Sequence, residues 1–182
     1  IFYAKDCLIF LSGNEFIGAT LAMQIIAPTI LLIGLSNLLG IQVLTPLNKE
    51  KQLVYSVVAG ALVDLILNII FIPKMGAAGA SLGTLVAEFV VLTVQILYLK
   101  DLFFRIAKQV QYGKIVLALI LASMISIRCS SMVSVIFFKL AIAGITFFGS
   151  YGIVLLLTKE NFVNSYIFEE ILKNKFWKKK GK

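Results

Sequence analysis

Five apolar stretches, each close to the length of a membrane span, restrict this 182-residue chain to few folds. A helix needs about 20 mainly apolar residues to cross a hydrocarbon core of about 30 Å. Such a helix satisfies its backbone hydrogen-bonding groups internally, which lipid cannot do for it. The stretches lie at residues 22–44, 53–72, 76–99, 115–131 and 138–157. We therefore predict an all-α integral membrane protein with about five transmembrane helices.

The composition excludes an ordinary soluble domain. Hydrophobic residues make up 60% of the chain and charged residues 14%, whereas soluble domains average about 45–50% and about 25%. Cys7 and Cys129 are far apart, and the chain has no histidine, so we expect no disulfide, metal site or cofactor. No basic segment or cleavage site precedes the first apolar residues. We therefore expect no signal peptide and interpret the chain as the C-terminal part of a longer protein.

The net charge of +8 is unevenly distributed between the connections. Thirteen of the 17 basic residues fall in alternate connections, at residues 46–51, 100–114 and 158–182. Basic residues concentrate in cytoplasmic loops of membrane proteins, so these connections and the C-terminus are predicted to be cytoplasmic. The turn at residues 73–76 is then outside. This distribution indicates membrane lipids rather than nucleic acid as the partner of the basic residues.

Two of the basic connections also carry apolar residues at helical spacing. In residues 101–111 and again in 162–177, apolar residues recur every three or four positions, next to basic residues. That pattern is typical of helices that lie in the headgroup plane. We interpret both as charged anchors at the cytoplasmic surface.

The second and third spans each carry an acid deep in apolar sequence. At about 1.5 Å of rise per residue, Asp64 lies about 14 Å and Glu88 about 18 Å from the predicted turn between these spans. A charge at the centre of a bilayer costs about 2.5–3.5 kcal/mol on insertion scales. Asp64, Glu88 and the neighbouring Asn68 are therefore candidates for an ion-coupling site or for residues that line a hydrated cavity. The alternative is that Asp64 and Asn68 cap or cross-link helices and that Glu88 is protonated and hydrogen-bonded to a neighbour.

Small residues recur on the same two spans. Ser56, Gly60, Asp64 and Asn68 stand four apart, and Gly79 and Gly83 form a GxxxG pair. Small residues at such spacing let helix backbones approach closely in lipid. We therefore predict a helix-packing role for four glycines, namely Gly60, Gly76, Gly79 and Gly83. We also expect the second span to stop at Pro73 and the first at Pro46, because proline disfavours helix at the preceding residue.

Two further basic residues, Arg128 and Lys139, lie near the predicted outer boundary of the last two spans. They are candidate contacts for an anionic substrate, or they are side chains whose charged ends reach the membrane surface. The sequence contains no nucleophile with a base and no phosphate-binding glycine loop followed by Lys. We therefore expect a protein that is not an enzyme.

Residues 67–88, LNIIFIPKMGAAGASLGTLVAE, are similar to the LN…P…G..GAA.AT..AE pattern of polysaccharide flippases. These O-antigen and capsule transporters belong to the multidrug/oligosaccharidyl-lipid/polysaccharide exporter superfamily. The resemblance covers residues 17–99, and Ser81 and Gly83 stand where alanine is more usual. Drug/Na⁺ antiporters and lipid II flippases of the same superfamily share much of the pattern.

The resemblance implies a MATE-like transporter with two six-helix lobes and an extra helix pair. The five spans would be its last five, and the whole protein would flip undecaprenyl-pyrophosphate-linked oligosaccharide across the bacterial inner membrane by ion-coupled alternating access. Its implied partners are that lipid-linked oligosaccharide and polysaccharide polymerase or assembly proteins. A drug/cation antiporter and a noncatalytic membrane scaffold of a polysaccharide assembly complex are the alternatives.

The chain then divides into five predicted parts. Residues 1–21 are the end of an earlier span with an extracytoplasmic loop, and residues 22–99 are three helices of the C-terminal transporter lobe. A basic cytoplasmic loop (100–114), an accessory helix pair (115–157) and a basic cytoplasmic tail (158–182) follow.

Overall fold

The computed structural model of the chain describes residues 1–108 and 110–158, and the regular structure of these residues is helical throughout. The elements in chain order are α1 (Ala4–Ser12), a 3₁₀ segment (Asn14–Ala19), α2 (Thr20–Ile26), α3 (Thr29–Asn37), a π-helix (Leu38–Leu44), α4 (Glu50–Met75), α5 (Ala77–Tyr98), α6 (Lys100–Ala107), α7 (Tyr112–Ser130) and α8 (Ile136–Leu157).

Four single helices of the described residues, α4, α5, α7 and α8, are long and apolar enough to cross a membrane. A fifth candidate is the bent pair formed by Asn14–Ile26 and Thr29–Leu44. The all-helical prediction is therefore confirmed for the described residues, and their four long apolar helices, or five spans if the bent pair is one, fit a multi-pass membrane protein.

The two segments of this bent pair meet at 41°, and the first segment begins at Asn14, earlier than the predicted start of the first span at residue 22. Pro28 lies in the break, where it lacks the N–H of a helical hydrogen bond. Beyond it, the Ile30 N–H donates to Ala27 at 3.3 Å, and the Thr29 hydroxyl donates to the Ile26 carbonyl at 2.5 Å. The Thr29 side chain therefore supplies a donor to a carbonyl at the break and helps to maintain the bend.

The prediction of a loop before residue 20 is wrong. Residues 14–19 form the 3₁₀ segment that continues into α2, and the only interruption between α1 and this segment is Gly13, with φ +89°. The short polar run around Gly13 resembles a loop in composition. It nevertheless forms helical turns on both sides of Gly13.

Helix α4 passes Pro73 and ends two residues later, at Met75, so the predicted stop at Pro73 is wrong. A proline near a helix end removes only one hydrogen bond, and the remaining turn still forms. The stop is Gly76, whose φ of +56° suits glycine. The Gly76 N–H donates to the Ile72 carbonyl at 2.8 Å and closes the last turn.

The first of two compact units comprises residues 1–107. Helices α4 and α5 pack along their length, and α2 and α3 pack on α5. Four leucines, Leu39, Leu44, Leu92 and Leu99, form a buried cluster at one end of this unit. Phe103 of α6 packs against the cluster, so a helix is present at Lys100–Ala107 within the basic connection, and its place at the membrane surface stays a prediction.

The second unit begins at Lys108, and its described helices are α7 and α8. They pack through a stripe of small buried residues on α7: Ala118, Ala122, Ser126 and Ser130. The Ser126 hydroxyl donates to the Ala143 carbonyl of α8 at 2.9 Å. The predicted amphipathic segment at 162–177 lies outside the described residues.

Candidate functional site between α4 and α5

The polar stripe of α4 runs along its contact with α5. Ser56 and Gly60 are buried, and Asp64 and Asn68, one and two turns further on, are half-buried. On α5 the buried positions include Gly79, Gly83 and Ala87. The small stripes of the two helices therefore face one another, and both intramembrane polar groups of α4 lie beside this contact.

Three glycines set the distance between the helices. A methyl group at Gly60 would lie 3.1 Å from the Ala87 carbonyl oxygen. A methyl group at Gly79 would lie 2.6 Å from the Phe71 carbonyl carbon. Both neighbours are backbone atoms that cannot rotate away, so these two positions hold the backbones in close approach.

Gly83 is the third contact glycine, and it lies beneath two polar side chains. A methyl group there would be 2.6 Å from Asn68 Oδ1 and 3.3 Å from Asp64 Oδ1. Both oxygens therefore converge on the space that the missing side chain leaves open. Gly76, predicted together with these glycines, is located at the turn, and no atom lies within 4 Å of its Cβ position.

Within the described part of the chain, the two converging oxygens have no hydrogen-bond donor. Asp64 Oδ1 and Asn68 Oδ1 are both buried and unpartnered among the described residues. A buried acceptor without a partner costs about 1–3 kcal/mol. Two buried acceptor oxygens are thus packed against Gly83 at the contact of an apolar helix pair.

Glu88 lies on the next turns of α5 and is half-buried. The structure thus places all three predicted polar residues, Asp64, Asn68 and Glu88, on the α4–α5 pair.

One buried polar pair at this contact was not predicted. Gln95 is 1% exposed and Ser56 is fully buried, and Gln95 Nε2 donates to Ser56 Oγ at 3.2 Å. The sequence did contain a signal, because Gln95 follows Glu88 by seven residues, two helical turns along the same face. The π-helix Leu38–Leu44, which contacts this pair at Gly40, has no comparable signal.

The remaining candidates lie in the second unit. Arg128 is exposed in the last turn of α7, and Lys139 is half-buried in the first turn of α8. Because residues 131–135 connect these helices directly, both bases lie at the same end of the α7–α8 pair. Their contact with an anionic substrate stays a prediction.

Among the described residues, no three His, Cys, Asp or Glu side chains come together as a metal-binding group. The acidic site, formed by Asp64 and Asn68 beside Gly83, offers one carboxyl group and one amide oxygen, and both are ligand types that hard cations accept.

Comparison of the chain with protein-family models, with curated proteins and with solved structures finds no match. We therefore infer the function of the chain from the chemistry of the α4–α5 site and from the sequence pattern of the α4–α5 hairpin.

Proposed function

We propose that this chain is the C-terminal part of an ion-coupled flippase for lipid-linked oligosaccharide. The observation that carries the proposal is the convergence of Asp64 Oδ1 and Asn68 Oδ1, both buried and without a donor in the described residues, over Gly83. An arrangement used only to hold helices together would pair these oxygens with donors on the facing helix.

Ion coupling follows from the energetics of these oxygens. Intramembrane carboxylates mark proton relays and ion sites in transporters. A proton or cation between Asp64 and Asn68 satisfies both buried acceptors. The free energy of the α4–α5 pair therefore differs between the state with a bound proton or cation and the state without one. A ligand can shift a conformational equilibrium only through such a difference.

The bent first span supports a transporter. Its two halves meet at 41°, and discontinuous helices near substrate and ion sites are common in secondary transporters. A scaffold that only holds an assembly complex requires neither a bend nor unpaired intramembrane oxygens.

The substrate class is proposed from the hairpin sequence. Residues 67–88 carry the pattern that resembles polysaccharide flippases, and its glycines Gly79 and Gly83 lie at the α4–α5 contact. The proposed substrate is an oligosaccharide on a polyprenyl pyrophosphate, and the proposed location is the bacterial inner membrane with the C-terminus in the cytoplasm. Polysaccharide polymerase or assembly proteins are the proposed partners.

The test uses the full-length gene product in a bacterial strain whose own flippase gene is deleted. Wild type should restore surface polysaccharide, and Asp64→Asn and Glu88→Gln should each abolish it at unchanged protein level. Glu50→Gln is the matched control, because Glu50 is an exposed acid in the first turn of the same helix α4. Normal surface polysaccharide in both site variants would contradict ion coupling by these acids. Failure of wild type to restore any surface polysaccharide would contradict the flippase itself.

A further inference from the structure

Two amide side chains of the first span, Asn37 and Gln42, are exposed on its surface. Asn37 precedes the predicted end of the span at residue 44 by about 10 Å, at about 1.5 Å of rise per residue. Neither side chain forms a hydrogen bond within the described part of the chain. The neighbouring hydroxyls do, since Ser36 donates to the Ile33 carbonyl at 3.1 Å and Thr45 donates to the Gly40 carbonyl at 3.2 Å. The two amides are therefore open hydrogen-bonding groups in an apolar span.

The π-helix brings these two amides to the same side of the span. In an α-helix of about 3.6 residues per turn, side chains five residues apart point about 140° away from each other. The backbone bonds of a π-helix instead connect residues five apart. Asn37 directly precedes the π-helix Leu38–Leu44, and Gln42 lies within it. The two amides are therefore about one turn apart on one side, which we call the amide side.

The described helices leave the amide side open. The buried residues of the same segment are Ser36, Leu39, Gly40 and Leu44. Of these, Leu39 and Leu44 pack in the leucine cluster with Leu92 of α5. The segment thus packs against α5 through other residues, and the exposed amides do not take part in that contact.

Lipid is an unfavourable neighbour for the amide side. An amide group has two N–H donors and an oxygen acceptor, and its transfer from water to hydrocarbon without partners is strongly unfavourable. A facing helix has its own backbone groups bonded internally, so it meets these donors and acceptors only through several polar side chains at matched positions. Water meets all of them. Polar side chains within membrane spans commonly face the interior of a helix bundle or a water-filled cavity.

The segment that carries the amide side is also uncharged. Residues 16–48 contain no Asp, Glu, Lys or Arg. Uncharged amides donate to hydroxyl groups and accept from them, but they supply no countercharge for a phosphate. The chemistry of this side therefore suits a neutral, hydroxyl-rich solute.

We propose that the amide side of the first span lines a water-filled passage, and that Asn37 and Gln42 form hydrogen bonds with a hydroxyl-rich solute in it. The choice of solute rests on the proposed function, in which an oligosaccharide crosses the membrane, whereas the passage itself does not. Leu35 marks the lipid-facing side of the same span. It is 48% exposed and lies two residues before Asn37, about 160° around the helix.

The test of the passage uses the full-length protein with its native cysteines replaced by serine, in open membrane fragments treated with a charged methanethiosulfonate reagent. Because the thiolate is the reactive form, a cysteine in water reacts and a cysteine in lipid does not. Asn37→Cys and Gln42→Cys should each react at least about tenfold faster than Leu35→Cys. Leu35→Cys is the matched control, because Leu35 is exposed at nearly the same depth as Asn37.

Reaction of Asn37→Cys as slow as that of Leu35→Cys would overturn the passage, because lipid or protein would then cover the amide side. Equally fast reaction at all three positions would also overturn it, because Leu35 would then be in water as well. The measurement requires no transported solute, so its result is independent of the proposed function.

The solute contact is tested by the movement of a fluorescent polyprenyl-pyrophosphate oligosaccharide between the leaflets of liposomes that contain the full-length protein. Asn37→Leu should slow flipping about fivefold, which corresponds to the loss of one hydrogen bond, and Asn37→Gln, which keeps the amide, should slow it less. Equal rates in wild type and Asn37→Leu would overturn the solute contact. Absence of flipping by wild type would overturn the proposed function and the solute contact together, and the labelling pattern would still decide the passage.

Discussion

Replacing Gly79 by alanine tests the close packing of α4 and α5, on which the acidic site depends. The new methyl group would lie 2.6 Å from the Phe71 carbonyl carbon and 3.1 Å from the Ile72 nitrogen. Carbon atoms pack best at about 3.5–4.0 Å, so the helices must separate by about 1 Å. Overpacking costs about 1–3 kcal/mol, and backbone neighbours place this case at the upper end. Alanine recovers about 1 kcal/mol of helix propensity, which leaves a net loss of about 2 kcal/mol.

The assay is equilibrium unfolding of the purified chain from mild detergent by titration with sodium dodecyl sulfate, followed by far-UV circular dichroism. Gly34→Ala is the matched control, because Gly34 lies in α3 with no atom within 4 Å of its Cβ position. That variant should gain about 0.5–1 kcal/mol. If Gly79→Ala were as stable as Gly34→Ala, the inferred close contact between α4 and α5 would be refuted.

Three other predictions follow from the same contacts. Gly83→Ala places a methyl group 2.6 Å from Asn68 Oδ1. This variant of the full-length protein should therefore export no polysaccharide, although the amount of the protein in the membrane should not change. Export at wild-type level would show that the space over Gly83 is not used. Ser126→Ala removes the hydrogen bond to the Ala143 carbonyl and should destabilise the α7–α8 pair by about 0.6 kcal/mol in the detergent titration, and an unchanged midpoint would contradict that bond. In a variant whose native cysteines are replaced by serine, Met75→Cys should react with a membrane-impermeant maleimide from outside intact cells and Ala107→Cys only after the cells are opened; the reverse pattern would invert the predicted orientation.

The spans could be predicted from sequence because apolar length alone determines them. The stretches at 76–99, 115–131 and 138–157 match α5, α7 and α8 to within a few residues at each end. Exact ends depend on local backbone geometry, which composition does not encode. Pro73 reads as a stop, yet the positive φ of Gly76 is what ends α4.

The bend and the π-helix of the first span could not be predicted in the same way. Residues 22–44 read as one uniform apolar segment, and the bend at Pro28 arises from a single missing N–H. The π-helix makes a tertiary contact, since Gly40 has no side chain and Gln95, 55 positions further along the chain, packs close to it. Hydrophobic periodicity reports which residues are apolar and carries no information about such a partner.

The residues of the acidic site could be predicted from the sequence, but their arrangement in space could not. Asp64 and Glu88 were identified by their depth in apolar sequence and by the free-energy cost of a charge there. Asn68 was grouped with Asp64 because it lies four residues further along the same helix. Only the structure shows that Asp64 and Asn68 direct oxygens over Gly83, and that these oxygens have no donor among the described residues. This result turns Gly83 from a packing residue into part of the site.

The central claim is that the acids of the α4–α5 pair couple an ion gradient to the flipping of a lipid-linked oligosaccharide. The most direct measurement reconstitutes the full-length protein in liposomes and follows the movement of a fluorescent polyprenyl-pyrophosphate oligosaccharide between leaflets, with and without an imposed proton or Na⁺ gradient. The account predicts gradient-accelerated flipping by wild type and no acceleration in Asp64→Asn or Glu88→Gln. Flipping no faster than in protein-free liposomes, or equal acceleration in wild type and both variants, would contradict it.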